Sequence, residues 1–284
     1  MSYLDKLRDC NAWNPDDFLP WMLNGERIGS LRRDWAGELR RWPERFWVGP
    51  QRVDWIGAPA GFDDRTRVLA EVVETLVGEG AIGYLHGELY GVTPGGRERA
   101  CCLIDRAAVP WFGVRAFGQH LNGYVRSARG LELWIGRRAA DRRVYPLHLD
   151  NLVAGGLPHG SELVANLLKE CREEADIPPA LARQAVPVGL VTYCRDSSLG
   201  LKPDTMYCYD LELPETFAPR CTDGEVETFY RLPVEEVARL VRETDEFKLN
   251  CNLVILDFLI RHGVLPPDHP DYVALCRGLR APLP

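Results

Sequence analysis

The sequence lacks the patterns that mark membrane-spanning, secreted or disulfide-stabilised proteins. No stretch approaches the roughly 18 consecutive apolar residues that a transmembrane helix needs, and the segment 1–17 contains no apolar run typical of a signal peptide. Nine cysteines are present without a CxxC pair, so neither a zinc-ligand spacing nor a disulfide framework is visible. These absences predict a cytoplasmic protein with reduced thiols and no contact with a membrane.

Two frequent catalytic signatures are also absent. The chain has no G-x-S-x-G elbow to support a serine hydrolase, and it has no P-loop. The formal charge is −7, from 34 basic and 41 acidic residues, which repels polyphosphate backbones at long range and argues against a nucleic-acid partner. A small anionic substrate is compatible with this charge, because a bound metal ion reverses the local field.

The residues that are present suit a folded enzyme with two parts. Hydrophobic residues make up 46% and charged residues 26% of the 284 positions, which is enough for a core. In the first third, Asn24-Gly25 predicts a hairpin turn between strands at Phe18–Leu23 and Arg27–Leu31, and apolar spacing predicts a helix over Asp63–Val77. We predict a small α+β domain over residues 1–115, which shapes substrate choice.

The second part, residues 116–284, alternates strand and helix patterns, which favours an α/β sandwich with a mixed sheet. The predicted strands are Tyr124–Arg126, Leu131–Arg137, Tyr145–Val153, Val186–Tyr193, Thr205–Leu213 and Val226–Leu232, and the predicted helices are Glu162–Ala175, Val234–Arg242 and Leu249–Arg261.

The chemical signal lies on the first of these helices. Glu170, Glu173 and Glu174 stand at i, i+3 and i+4, so their carboxylates share one helix face. Like charges at this spacing destabilise a helix unless a hard divalent cation lies among them. A solvated acidic face is the alternative interpretation. The apolar opposite face and the preceding glycine-rich loop, with Gly155 and Gly156, favour a metal site.

The segment that starts at Gly155 resembles the Nudix box, whose second half reads R-E-U-x-E-E-x-G-U with U aliphatic. The match runs through the three glutamates to Ile177. It departs from the box at Ser161, which stands at the position of the first glutamate, at Lys169, which replaces arginine, and at Asp176, which replaces glycine.

Further stretches resemble one Nudix branch, which carries an extra N-terminal domain and is related to thiamine pyrophosphokinase fusion proteins. They are residues 117–124, 145–151 and 247–263. The resemblance implies a Nudix α/β/α sandwich that uses Mg²⁺ or Mn²⁺ to hydrolyse a small-molecule diphosphate. Its substrate would be thiamine diphosphate or an oxidised derivative, cut to the monophosphate. A nucleoside-diphosphate-sugar or dinucleotide pyrophosphatase, a non-catalytic ligand-binding module and a homodimer are left open as alternatives.

Other residues complete the candidate site. Glu225 and Glu227 lie on a predicted strand, where alternation puts both on one face, and the family often takes another metal ligand from this region. Arg138 suits a phosphate clamp, and Trp111 and Phe112 suit stacking on a ring, with core packing as the alternative. Gly155 and Gly156 complete the predicted substrate contacts. His120 is interpreted as a local hydrogen-bonding residue, with a substrate contact as its alternative.

Overall fold

The computed structural model describes residues 2–284, and these form two halves that share an extensive contact. The helices are α1 (Tyr3–Cys10), α2 (Arg33–Ala36), α3 (Phe62–Gly78), α4 (Val109–Phe112), α5 (Leu163–Ala175), α6 (Pro179–Ala182), α7 (Val234–Glu243), α8 (Cys251–Arg261) and α9 (Tyr272–Gly278). The strands are β1 (Phe18–Leu23), β2 (Glu26–Arg32), β3 (Phe46–Val48), β4 (Val53–Trp55), β5 (Leu89–Val92), β6 (Cys102–Asp105), β7 (Ala116–Ser127), β8 (Gly130–Arg138), β9 (Leu149–Asn151), β10 (Val153–Gly156), β11 (Val186–Ser197), β12 (Gly200–Glu212) and β13 (Val226–Pro233).

The second half is built around a mixed sheet with the order β11-β12-β7-β8-β13, to which β10 adds on β7 and β9 adds on β8. Strands β7 and β12 run parallel, and the other pairs in this sheet are antiparallel. One face packs on α5 through a cluster that includes Leu121, Val153 and Leu167. The other face packs on α7 and α8 through a cluster that includes Leu133 and Phe258. The predicted α/β sandwich with a mixed sheet is therefore confirmed.

The first half has its own apolar core between a four-stranded sheet, β2-β1-β4-β3, the hairpin β5-β6 and helix α3. Trp21, Leu31, Leu69 and Leu76 are fully buried in it. Helix α1 is an exception, because it packs on the sandwich: Tyr3 Oη donates to Ala238 O at 3.2 Å. The domain boundary near residue 115 stays a prediction. Helix α1 belongs to the first half by its position in the sequence, but it packs against the second half.

Backbone conformation explains where the predicted elements and the structure differ. The predicted strand Tyr145–Val153 begins only at Leu149, because Tyr145 and Leu147 have left-handed φ values of 52° and 60°, which a strand cannot contain. Gly155 and Gly156 were predicted in a loop, but they lie in β10, paired with β7. Helices α1 and α9 were not predicted, because each is a short element near a chain end.

Two further observations concern the length of the apolar helices and the state of the cysteines. Within residues 2–284, no helix is long and apolar enough to cross a membrane. All nine cysteines are free thiols, and six of them are buried.

The packing of α4 against β2 within the first half predicts a stability difference between two glycine variants. Gly113 ends α4 at φ 55°, and a Cβ there would collide with the carbonyl of Ser30 on β2. We expect Gly113→Ala to lose more than about 2 kcal/mol of unfolding free energy in a urea titration.

Gly80→Ala is the matched control, because Gly80 has φ 77° and nothing lies within 4 Å of an added Cβ. Its loss should be about 1 kcal/mol, which is the cost of the left-handed backbone alone. Equal losses in the two variants would contradict the predicted collision.

Candidate active site

Helix α5 presents its three glutamates from a firmly packed position. Leu167, Cys171 and Ala175 are buried against the sheet, which fixes the rotation of the helix. The helix ends at Asp176, whose left-handed backbone (φ 52°) fills the position where the Nudix box has glycine. Asp tolerates this conformation better than most side chains, so the departure from the box is structurally accommodated.

Glu174 is the most buried of the three glutamates, with 7% of its surface exposed. Its Oε2 accepts a hydrogen bond from the backbone N–H of Ala154 at 2.8 Å, which ties α5 to β10. Burial, and then the charges of Asp150, Glu170 and Glu225, raise the pKa of Glu174 to about 8. Carboxylates that destabilise one another's charge in this way fit a divalent cation, which would offset their repulsion.

Glu170 and Glu173 complete this side of the helix in different environments. The Glu170 carboxyl group packs over Gly155, where a Cβ would lie 2.5 Å from its Cδ. Burial raises the pKa of Glu170 although Lys169 lowers it, and the charges of Glu173 and Glu225 add smaller increases. Glu173 is more exposed, and its Oε2 lies 2.8 Å from Lys169 Nζ. Lys169 therefore contacts the cluster from the position where the Nudix box has arginine.

Glu225 and Glu227 have separate environments. A β-bulge between Val226 and Thr228 interrupts the alternation of β13, so the expectation that both glutamates share one face is wrong. Glu225 lines the large cavity described next and pairs with Arg142 at 2.9 Å. Glu227 is exposed and does not line the cavity. The structure thus brings Glu225, and not Glu227, towards the α5 glutamates.

A cavity of about 790 Å³ lies beside this cluster and is lined by both halves of the chain. The sandwich contributes Gly155, Gly156 and Glu225, which connect the cavity to the edge where the α5 glutamates stand. The first half contributes aromatic and charged residues, namely Tyr84, His86, Tyr90, Arg106 and Trp111. The cations that the sandwich contributes are Arg138, Arg142, Arg143, Lys202 and Lys248.

The predicted substrate contacts are only partly at this cavity. Trp111, Arg138, Gly155 and Gly156 line it. Phe112 does not, because it has no exposed surface and packs between Trp21 and Trp35 in the core of the first half.

Arg138 is committed to other protein groups. Its three guanidinium nitrogens bond to Tyr145 O at 3.1 Å, Asp150 Oδ2 at 2.9 Å and Val144 O at 3.1 Å. It holds the segment that follows β8 in place, and of its five N–H donors only one on Nη1 and one on Nη2 have no protein partner among residues 2–284.

The sequence reasoning missed Asp150 and Lys248, which meet at the floor of the cavity. Lys248 Nζ lies 3.1 Å from Asp150 Oδ2. Burial alone would raise the pKa of Asp150, but Lys248, His120 and Arg138 together lower it to about 2. Both residues lie in stretches that resemble the Nudix branch, but 98 positions separate them in the chain. No local spacing could pair them.

The comparisons with known proteins identify the class and then the family. Residues 2–116 match a domain of unknown function, DUF4743. Two Arabidopsis thaliana proteins are similar to this chain: Nudix hydrolase 20, chloroplastic, at 39% identity and Nudix hydrolase 24, chloroplastic, at 40% identity. Each similarity covers 98% of this chain and 77% of the plant protein. Among solved structures, DR0079 from Deinococcus radiodurans is similar with a TM-score of 0.43 and 23% identity, over 59% of this chain and 95% of that chain.

The carboxylate helix beside a cavity fits the hydrolases of diphosphate links, a class that uses divalent metal ions. The similarity to the two plant proteins spans nearly the whole sequence, and the chain belongs to the Nudix hydrolase family.

The prediction of a cytoplasmic location is wrong on this comparison, because both plant relatives are named as chloroplastic proteins.

The packing of Glu170 over Gly155 predicts a selective loss of catalysis. Gly155→Ala should push the Glu170 carboxyl group out of place, because the flexible side chain yields more easily than the sheet. We expect kcat to fall about 10- to 100-fold with an unchanged far-ultraviolet circular dichroism spectrum.

Gly160→Ala is the control, because Gly160 lies in the loop after β10 and has open space around an added Cβ. It carries a left-handed strain at φ 79° without touching a glutamate, so its kcat should stay close to that of the wild type. Full activity in Gly155→Ala would show that the position of Glu170 does not matter for turnover.

Proposed function

We propose that this Nudix hydrolase cleaves thiamine diphosphate, or its oxidised derivatives, to the monophosphate. The observation that carries the proposal is the large cavity, which joins the carboxylate edge to aromatic and cationic side chains from both halves. A substrate with a polar ring and a diphosphate suits such a lining, because rings stack on aromatic faces and phosphate oxygens accept bonds from arginine and lysine.

Glu170, Glu173, Glu174 and Glu225 would hold the metal, and Mg²⁺ or Mn²⁺ are the ions that such oxygen ligands suit. When bound, a divalent cation neutralises diphosphate oxygens and lowers the pKa of a water molecule. Glu170 acts as a metal ligand or as the base that takes a proton from the attacking water. The water oxygen bonds to phosphorus, the anhydride P–O bond breaks, and inorganic phosphate leaves when the terminal group is attacked.

The cationic contacts to the diphosphate come from side chains that can change partner. Arg143 is exposed and lies over the Tyr84 ring at 4.4 Å, and no carboxylate pairs with it among residues 2–284. Arg142 pairs with Glu225 at 2.9 Å, and both side chains are partly exposed to solvent. These two arginines therefore suit a phosphate better than Arg138 does.

Residues 1–115 take part in recognition and do not perform the chemistry. Tyr84, Arg106 and Trp111 line the cavity from this half. Arg106 pairs with Glu88 at 2.7 Å, and the charge of Glu225 is one of the causes that raise its pKa, so this cation lies within the field of the site. Ligand sites favour such boundaries between domains.

A panel of diphosphates distinguishes this proposal from its alternative. Thiamine diphosphate, oxidised thiamine diphosphates, ADP-ribose and a nucleoside-diphosphate sugar should be assayed with Mg²⁺ and with Mn²⁺, with phosphate release as the readout. We expect the thiamine compounds to have the highest kcat/KM. A clear preference for ADP-ribose or the sugar nucleotide would replace the proposal with a nucleotide pyrophosphatase.

The glutamate cluster predicts the effect of two charge-removing variants. Glu173→Gln and Glu174→Gln keep the shape but lose a charged ligand, and each should lower kcat/KM at least about 100-fold, since metal stabilisation is worth several kcal/mol. Calorimetric titration with Mn²⁺ should show correspondingly weaker binding.

Glu74→Gln is the control, because Glu74 is an exposed carboxylate on α3. It should leave both activity and Mn²⁺ binding unchanged. If Glu173→Gln and Glu174→Gln turn over like this control, the cluster is a solvated face and the assignment of metal ligands is wrong.

A further inference from the structure

A continuous chain of buried polar side chains starts at the floor of the cavity and runs between the sheet and α8. His120 Nδ1 lies 2.9 Å from Asn151 Oδ1, and Asn151 Nδ2 donates to Asn122 Oδ1 at 2.9 Å. Asn122 Nδ2 then donates to Asp210 Oδ1 at 3.0 Å. None of these four residues is more than 6% exposed. A chain so well buried has few alternative partners, so its hydrogen bonds constrain one another.

Asp210 sets the direction of every bond in this chain. Arg261 donates to both of its oxygens, and His262 Nε2 lies 2.9 Å from Oδ2. Although burial would raise the pKa of Asp210, His262 and Arg261 hold it below its usual value, so the group is an acceptor only. Asn122 must therefore turn its NH₂ group to Asp210 and its oxygen to the next amide.

The orientation of Asn122 fixes the donor and acceptor groups of Asn151 and then of His120. Asn151 must offer its NH₂ group to the oxygen of Asn122, which leaves its own oxygen for His120. An amide oxygen only accepts, so Nδ1 of His120 carries the proton. Burial, followed by the charge of Lys248, lowers the pKa of His120 to about 4, which keeps the ring neutral. Its Nε2 is therefore a lone-pair acceptor.

This acceptor belongs to the cavity. His120 lines the cavity while 4% of its surface is exposed, and within residues 2–284 no group bonds to its Nε2. The neighbouring charged groups are Arg138 and Lys248, which can only donate, and Asp150, whose oxygens already accept from Arg138, Lys248 and Cys251. Because this nitrogen faces the cavity, a ligand bound there can donate a hydrogen bond to it.

A metal ion is a weaker occupant for this position. The ligand atoms of His120, Asp150 and Cys251 lie within 4.8 Å of one another. However, Asp150 Oδ2 already accepts from Arg138 and Lys248, and Cys251 Sγ donates to Oδ1 at 2.7 Å. Two protein cations on one carboxylate oxygen repel a third positive charge.

We propose that His120 determines specificity, with its Nε2 accepting a hydrogen bond from an N–H or O–H group on the organic part of the substrate. This inference rests on the proposed function, in which the cavity holds that part of a diphosphate. A site that hydrogen-bonds a substrate group rejects analogues that lack it, because the site's own polar atom is then left unpaired. An organic part made only of hydrocarbon would not satisfy this acceptor.

The tautomer can be measured without any substrate. Nitrogen NMR of protein labelled with ¹⁵N-histidine distinguishes a protonated from an unprotonated ring nitrogen. We expect His120 at neutral pH to carry its proton on Nδ1. Protonation on Nε2 would overturn the inference, whatever the enzyme hydrolyses.

A remote substitution should reverse this tautomer. In Asp210→Asn, the new amide oxygen is expected to stay with Arg261 and its NH₂ group to face Asn122. Both asparagines of the chain then flip, and Nδ1 of His120 becomes the acceptor. Asp257→Asn is the matched control, because Asp257 is another buried carboxylate that pairs with Arg261, at 2.7 Å, outside the chain. It should leave the proton on Nδ1, and a switch in both variants or in neither would count against the directional chain.

Kinetics test the contact with substrate. His120→Phe keeps a ring but removes the acceptor, so KM for thiamine diphosphate and for ADP-ribose should rise about tenfold at nearly constant kcat. Binding of inorganic diphosphate with Mg²⁺ should not change, because this probe has no organic part.

Three results separate the possible failures. An unchanged KM for an organic diphosphate that the enzyme hydrolyses would overturn the role of His120. If wild type binds one equivalent of Zn²⁺ and His120→Phe binds none, His120 is a metal ligand and the proposed substrate contact is wrong. A wild type that hydrolyses neither organic diphosphate contradicts the proposed function, and the NMR measurement then still decides whether His120 presents an acceptor.

Discussion

The hydrogen bond between the Ala154 backbone and the Glu174 carboxyl group is the interaction on which the site depends. Helix α5 is anchored by apolar residues on the opposite face, so Glu174 cannot turn out to solvent without unpacking the helix. A buried carboxylate with one N–H donor and carboxylate neighbours is costly while it is charged. The packing of the helix thus holds a costly negative charge beside β10, which a divalent cation would offset.

The first half of the chain supports the same place from the other side. Arg97 Nη2 donates to Pro158 O at 3.2 Å and to Ser161 O at 2.8 Å, which ties down the loop between β10 and α5. The backbone N–H of His159 donates to Leu89 O at 2.9 Å. Through these contacts a half without a comparable carboxylate cluster positions the glutamates of the other half, so we expect the two halves to act as one catalytic unit.

Local features of the sequence predicted much of this structure, and long-range or backbone effects account for the rest. The strand Phe18–Leu23 has the predicted bounds, and α5 begins one residue after the predicted Glu162, because periodicity and turn residues act within a few positions. The meeting of Asp150 with Lys248 depends on how β9 docks against the segment before α8, which no spacing reveals. The bulge in β13 separates Glu225 from Glu227 through a single extra residue, which a pattern of period two cannot anticipate.

Charge is arranged differently around the cavity than over the whole chain. The protein carries a formal charge of −7, yet cations outnumber acids in the cavity lining. Arg138 and Lys248 share Asp150 at the floor, so they are held in place and their charge is already partly balanced. Cations that are fixed in this way can orient a ligand without moving. An exposed side chain such as that of Arg143 can instead change its conformation to contact the ligand. Because Asp150 partly balances the charge at the floor, a phosphate would meet more unbalanced positive charge at the exposed Arg143 than at Arg138 or Lys248.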